Sequence, residues 1–256
     1  MSDEVQSSVL TDAIRFLENF FDKAAKKPDG IAVVDSNGEH TFTEYLLTVD
    51  RIIGFMRSNG IGKGDRVAIH LGRVMEHLAS RIACLCIGAS FVSINQNHPQ
   101  ERAKDILDSF RPVLVIDDAV VGALADVAPE RYIEHDISDS DEGFVIFTSG
   151  TTGKPKGVVH DRSSFRNNVI LGSPFLKGAR NLIMITDMMF IANMTEMSVN
   201  TYYASTIVIP SDQQRRDPAT LVKLVAEYGL EWSSLPPQFV KYFRGSGIRV
   251  VFAQGM

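Results

Sequence analysis

The sequence is poor in the residues that build covalent or metal cross-links. It has two cysteines, Cys84 and Cys86, in 256 residues. Two positions apart on an apolar helical stretch, they point in different directions, which suits neither a disulfide nor a zinc site. Two small buried apolar side chains are expected instead. The histidines at 40, 70, 77, 98, 135 and 160 follow no ligand spacing. They are expected to be structural or surface groups, with His160 lacking an evident partner. No apolar run approaches the ~18–20 residues of a spanning helix. The first residues, Met-Ser-Asp-Glu-Val, carry neither a basic n-region nor an apolar h-region. The expected compartment is therefore cytoplasmic, with no membrane partner. Positive charge is also short: Lys plus Arg number 26 against 31 Asp plus Glu, a net charge of -5. That balance gives no bulk electrostatic argument for nucleic acid. Hydrophobic content of 45% with 22% charged residues excludes a disordered chain.

What is present is an alternation of strand and helix signals. Residues 12–27 place Ile14, Leu17, Phe20, Phe21 and Ala24 at helical spacing. Strands at 31–34 and 40–42 flank Asn37-Gly38, expected to supply the positive φ angles of a tight hairpin. A helix over 43–59 stops at Gly60. Beyond it come a strand at 66–71, a helix at 74–89, a strand at 91–94 and a helix at 99–110 with proline in its first turn. The apolar run 113–116 reads as a strand buried on both faces. Later strands are expected at 144–148, 182–186, 206–209, 231–235 and 249–253, with Asp217 as N-cap of a helix over 217–228. The acidic stretch 134–143 is a connector rather than a domain boundary. Trp232 reads as core, and Arg215-Arg216-Asp217 as a solvated approach to the helix. This alternation predicts an α/β layered fold with largely parallel sheets flanked by helices.

Residues 144–160, FVIFTSGTTGKPKGVVH, carry the chemistry. An apolar strand feeds a run rich in Gly, Ser, Thr and Lys. Glycines let backbone N–H groups approach an anion, hydroxyls donate to phosphate oxygens, and lysines balance charge. The residues alone leave open a polyphosphate-binding loop or a hairpin tip of ordinary loop residues. A Walker P-loop is excluded, because Pro155 follows Lys154 and a returning strand, not a helix, comes after.

As it stands, T-S-G-T-T-G-K-P-K-G-V resembles the signature loop of the adenylate-forming (AMP-forming) ligase superfamily, which includes acyl-CoA synthetases, luciferases and the adenylation domains of nonribosomal peptide synthetases. Other stretches resemble family motifs in the right order: Thr41-Phe42-Thr43-Glu44-Tyr45, Gly60-Ile61-Gly62-Lys63-Gly64-Asp65-Arg66-Val67-Ala68, Gly88-Ala89-Ser90-Phe91-Val92-Ser93-Ile94 with Pro99-Gln100-Glu101-Arg102, and Leu235-Pro236-Pro237. The third of these is most similar to the peptide-synthetase branch. The resemblance implies attack of a carboxylate on the α-phosphate of ATP, release of pyrophosphate with Mg²⁺ assistance, and transfer of the acyl group to a thiol, either coenzyme A or carrier-protein phosphopantetheine. It assigns phosphate contact to Thr148, Ser149, Gly150, Thr151, Thr152 and Gly153, with Lys156 as charge partner and Lys154 left to solvent.

The family's Y-G-x-T-E segment, which stacks on adenine and helps hold Mg²⁺, occurs nowhere in the sequence. Residues 1–256 are thus expected to be the incomplete N-terminal domain of such an enzyme, inactive alone, or else a half-protein that binds nucleotide or a partner without chemistry. Apolar surface at the truncated face is expected to favour self-association.

In the peptide-synthetase branch an aromatic-Asp pair precedes the substrate helix, and that Asp binds an amino group. Aligning Phe190-Ile191-Ala192-Asn193-Met194-Thr195-Glu196 to it puts Ile191 at the Asp position. An ammonium buried there without a partner costs about 3–5 kcal/mol, so an acid without an α-amino group is expected, unless Asn193 or Asp187 supplies the polar contact. The alignment makes Phe190, Ile191, Ala192, Thr195, Ser234, Val251 and Ala253 pocket walls; the last five are small or apolar and equally suit ordinary core.

Overall fold

A computed structural model describes residues 15–97, 99–149, 155–176, 181–235, 237–246, 248 and 250–253. The first half runs α1 (Phe16–Ala25), β1 (Ile31–Asp35), β2 (Gly38–Thr41), α2 (Phe42–Ser58), β3 (Arg66–Ile69), α3 (Met75–Ile87), β4 (Ser90–Ser93), α4 (Gln100–Phe110), β5 (Leu114–Ile116) and α5 (Asp118–Ala123). The second half runs β6 (Glu142–Ser149), β7 (Pro155–Asp161), α6 (Ser163–Leu176), β8 (Leu182–Ile183), α7 (Ile191–Tyr203), β9 (Ile207–Val208), α8 (Pro218–Tyr228), β10 (Trp232–Leu235) and β11 (Val250–Ala253). These elements form two compact units. One is continuous, Glu44–Ser164, and the other joins the chain up to Thr43 with the chain from Phe165 onward. The acidic stretch at 134–143 lies inside the continuous unit, as its reading as a connector requires.

The continuous unit holds a five-stranded sheet in the order β5-β3-β4-β6-β7. β5, β3, β4 and β6 are parallel, and β7 returns antiparallel to β6. β3 and β4 occupy the interior, and Val67, Ala68, Ile69, Phe91 and Val92 are buried. The expectation for 113–116 fails here. β5 is the sheet edge, Val113 is 60% exposed, and in the strand only Ile116 is buried. An unbroken apolar run reports hydrophobicity, not the number of neighbouring strands.

α3 is buried on nearly its whole circumference, Cys84 and Cys86 included. Gly88 ends it at φ +78°, and a Cβ there would meet the Lys63 backbone at 3.1 Å. Glycine is thus required both for the left-handed φ and for the close approach. Gly54, in the middle of α2, has a different reason. A Cβ there would collide with the carbonyl oxygen of Ala128. The 128–131 segment lies this close because Glu130 N–H donates to Asp50 O at 3.0 Å and Arg131 Nη2 to Asp50 Oδ2 at 2.7 Å.

The second unit holds a six-stranded sheet in the order β11-β10-β8-β9-β1-β2, parallel except for the β1–β2 hairpin. Val34, Ile183, Val208 and Leu235 from its strands pack with Ile185, Leu221, Val225, Leu230 and Phe243. Full burial of such a side chain contributes roughly 1.5–3 kcal/mol. α8 begins as expected at Asp217, whose carboxylate accepts from Ala219 N at 3.1 Å and Thr220 Oγ1 at 2.6 Å, and ends at Gly229 in the left-handed region. In α1, Leu17, Phe20, Phe21 and Ala24 are buried as expected and Phe16 joins them; Ile14 lies outside the described residues. The hairpin turn is displaced by one residue from its expected centre. Asp35 pairs with Gly38, so Ser36 and Asn37 form the loop, and of the Asn-Gly pair only Gly38 has a positive φ, +125°. Asp35 supplies what the Asn does not, accepting from Asn37 N–H at 2.7 Å. β8 and β9 are shorter than the runs that announced them. No described helix is long and apolar enough to cross a membrane.

Candidate functional site

The β6–β7 hairpin presents the glycine-rich turn. Its register runs from Phe144↔His160 through Thr148↔Lys156 to Ser149↔Pro155. Thr148, Ser149 and Lys156 are thereby brought to one end of the hairpin. Thr148 and Lys156 are exposed, and the Thr148 hydroxyl donates to the Lys156 carbonyl at 3.4 Å. Gly150, Thr151, Thr152 and Gly153, with Lys154, lie outside the described residues. An exposed hydroxyl and an exposed ammonium flanking a Gly/Ser/Thr turn form a donor set suited to a polyanion.

The hairpin stands on a fixed base. β6 pairs with the interior strand β4 through Phe91↔Phe144 and Val92↔Val145. The Phe91 and Phe144 rings stack at 6.0 Å, and His160 stacks on the other ring at 4.6 Å, so His160 does have a partner, the Phe144 face. At the foot, Arg66 Nη2 donates to Glu142 Oε2 at 2.6 Å and Ser90 Oγ to Glu142 Oε1 at 2.7 Å. Burial pushes the Glu142 carboxyl up, but the hydrogen bonds from Arg66 and Ser90 and the Arg66 charge outweigh it, and the group is held below the usual carboxylate range. Gly157 has a packing role. A Cβ there would stand 3.0 Å from Val145 Cγ1 and 3.1 Å from Phe147 Cζ across the pair.

The expected acid-binding residues lie in the other unit. Phe190 is extended (φ −94°, ψ 151°) and α7 starts at Ile191. Phe190 is 60% and Ile191 42% exposed, whereas Ala192 and Ser234 are buried. Thr195 is half-buried, its hydroxyl donating to Asn168 Oδ1 at 3.4 Å. In the backbone register, Val251 pairs with Ser233 and Ala253 with Leu235; the side chains of both lie outside the described residues. The two alternative polar contacts are engaged elsewhere. Asp187 accepts from Arg215 Nη2 at 3.1 Å and from Met189 N–H at 3.1 Å. Arg215, expected to be solvated, is therefore held, and its Nε also contacts Asp212 Oδ1 at 2.8 Å. Asn193 is fully buried and donates to Glu196 Oε2 at 3.3 Å.

Glu196 itself escaped the sequence reading. It is 0% exposed. Its carboxylate accepts from Thr186 Oγ1 at 2.6 Å, from Asn193 Nδ2 and from Ser234 N–H at 3.2 Å. The one available signal was its place four residues after Ala192, on the same helical face.

His77 is also wholly buried, as a structural histidine. Its Nδ1 lies 3.2 Å from Leu71 O and 3.1 Å from Gly72 O, and its Nε2 3.0 Å from Ser93 Oγ. Burial, then the Arg81 charge, push its pKa well below the ordinary imidazole value. Among the described residues no group of His, Cys, Asp and Glu is arranged to hold a metal ion.

A family model described as AMP-binding enzyme matches residues 20–253. The chain belongs to the AMP-binding enzyme family. Among curated members, it is 28% identical over 228 residues to phenyloxazoline synthase MbtB of Mycolicibacterium paratuberculosis, a match that covers 81% of this chain and 19% of that protein. It is 24% identical over 239 residues to N-benzoylphenylalaninol synthetase apmA of Penicillium brevicompactum, covering 85% of this chain and 10% of that protein. The chain thus spans a small part of the length of these relatives. The fold matches the N-terminal subdomain of Klebsiella oxytoca NpsA, solved in complex with 3-hydroxybenzoyl-AMSN, at TM-score 0.74 and 20% identity over 89% of this chain and 61% of that one.

Proposed function

We propose that this chain supplies the phosphate-holding turn and part of the acid subsite of an enzyme that activates a carboxylic acid with ATP for transfer to a thiol, on coenzyme A or a carrier-protein phosphopantetheine. ATP supplies the leaving group: pyrophosphate departs as the carboxylate bonds to the α-phosphorus, and Mg²⁺ shields the phosphate charge when bound. The chain's own contribution is electrostatic. Backbone N–H groups of 149–153, the hydroxyls of Thr148, Ser149, Thr151 and Thr152, and the Lys156 ammonium would hold the β- and γ-phosphates and offset charge developing on pyrophosphate. The stacked Phe91–Phe144–His160 base and the Arg66–Glu142 pair keep the hairpin from yielding as charge moves. Ile191, Ala192, Thr195 and Ser234 would line the acid. The acid expected has no α-amino group, since an ammonium has no carboxylate at position 191 to meet.

The observation that carries this reading is the register that sets Thr148 opposite Lys156 at the mouth of the turn, in a chain matched by the AMP-binding model almost throughout. ATP titration by calorimetry, with and without Mg²⁺, tests it. Lys156→Ala is expected to weaken binding about tenfold or more, the scale of a lost charge-assisted contact. Equal affinities would count against the turn as the phosphate site.

A further inference from the structure

The parallel sheet of the second unit opens at one place. β10 follows β11 over Trp232↔Val250 to Leu235↔Ala253, but it pairs with β8 only at Trp232↔Leu182. At Ser233 the contact with β8 is already a side chain, with Oγ donating to Ile183 O at 2.8 Å. At Ser234 the backbone N–H turns to the Glu196 carboxylate instead. The split faces the carboxyl ends of the strands, where open α/β sheets take their ligands.

We infer that Glu196 is a positioning residue of the acid subsite, its carboxylate fixing β10 at Ser234 against α7 at Ala192 and Thr195. The inference rests on the acid-subsite assignment above and adds the group that sets its shape. A buried carboxylate is a poor choice for stability alone, since an apolar side chain of similar volume packs at least as well without the desolvation penalty. What it adds is direction. Its donors come from three separate pieces of chain: Thr186 beyond β8, Asn193 on the first turn of α7, and Ser234 on β10. An apolar contact would let β10 slide along the helix; the directional bond from Ser234 N–H, made to a carboxylate that Thr186 and Asn193 hold in one orientation, does not. Ala192 stands one helical turn before Glu196, so the same anchor sets the height of that wall. Asn193 is thereby committed to the anchor and does not stand in for a charged partner of the acid.

The test compares Glu196→Gln and Glu196→Ala with Leu221→Ala, a core truncation on α8 of the same unit. Amide hydrogen exchange and calorimetric titration with benzoate, octanoate and ATP are measured on each. Gln keeps one oxygen for the Ser234 N–H but sets an NH₂ against the Thr186 and Asn193 donors, so it carries the test if the alanine variant fails to fold. Both Glu196 variants are expected to speed exchange at Ser234, alanine tenfold or more and glutamine less because it keeps that acceptor, and to weaken acid binding tenfold or more. ATP affinity is expected to stay within twofold, and Leu221→Ala to do neither. Unchanged exchange at Ser234, or an equal effect from Leu221→Ala, overturns the positioning role. If the unmodified chain binds neither acid, the acid-subsite reading fails on its own, while the exchange data still judge the anchor.

Discussion

His160 lies flat on Phe144, with ring centroids 4.6 Å apart and planes 5° from parallel, across the strand pair that carries the glycine-rich turn. The face that stacks is withdrawn from water. Burial therefore lowers the His160 pKa, although Asp161 pulls the other way. His77 is pushed down further by complete burial and by Arg81.

Both groups resist protonation in the folded chain. Above the ordinary value of 6.5, neither state binds the proton and stability is flat. Below it the unfolded chain takes up protons that the folded chain refuses, so stability falls until the folded pKa values are reached. The urea midpoint is expected to be lower at pH 5.5 than at pH 7.5. His160→Phe keeps the stack and should shrink that difference. A midpoint that rises on acidification would contradict the argument.

Cys84 and Cys86 should be silent to thiol reagents. Burial raises the Cys84 thiol to about 12 and pushes the Cys86 thiol up as well, and the thiolate is the reactive form. Titration with a chromogenic disulfide at pH 8 is expected to show no reaction in the native chain and both thiols after denaturation. One fast native equivalent would mean that α3 is not packed as described.

Gly54→Ala ought to reverse the usual sign. Alanine in a helix interior normally gains about 0.5–1 kcal/mol over glycine. Here the added methyl runs into the Ala128 carbonyl, and overpacking of this kind costs about 1–3 kcal/mol. Chemical denaturation decides, and a stabilised variant would show that the 128–131 segment is free to move away.

Ile191→Asp tests the acid class. A carboxylate at the start of α7 is favoured by the helix dipole and would meet an α-ammonium. The variant is expected to gain at least tenfold in affinity for phenylalanine relative to 3-phenylpropanoate. No change in that ratio would mean that position 191 does not face the acid.

The legible parts of the molecule were those written in adjacent residues. The β6–β7 hairpin follows from an apolar strand, a Gly/Ser/Thr turn and a second β-branched run, and Asp217 announces α8 because an N-cap acts within its own turn. The apolar run at 113–116 carries the same letters at an edge as in an interior, so its place in the sheet could not be read. Asn37-Gly38 marked the turn but not its centre, because Asp35 does part of the work expected of Asn37. Glu196 and Gly54 were opaque for one reason. What justifies each is a partner far along the chain, Ser234 for the first and Ala128 for the second, and no local pattern encodes it.

The hairpin β1–β2 ends up at the edge of a sheet whose other strands are made much later, with Val33 beside Ile207 and Val34 beside Val208. On a ribosome adding about 5–20 residues per second, Ile31–Val34 wait on the order of ten seconds or more for that neighbour. Glu44–Ser164 can meanwhile close on themselves, since every strand they need has already emerged. Birth order and assembly order therefore differ: β1 and β2 emerge before the strands of Glu44–Ser164 but find their neighbour after them, and during that interval their apolar faces are what a chaperone would see.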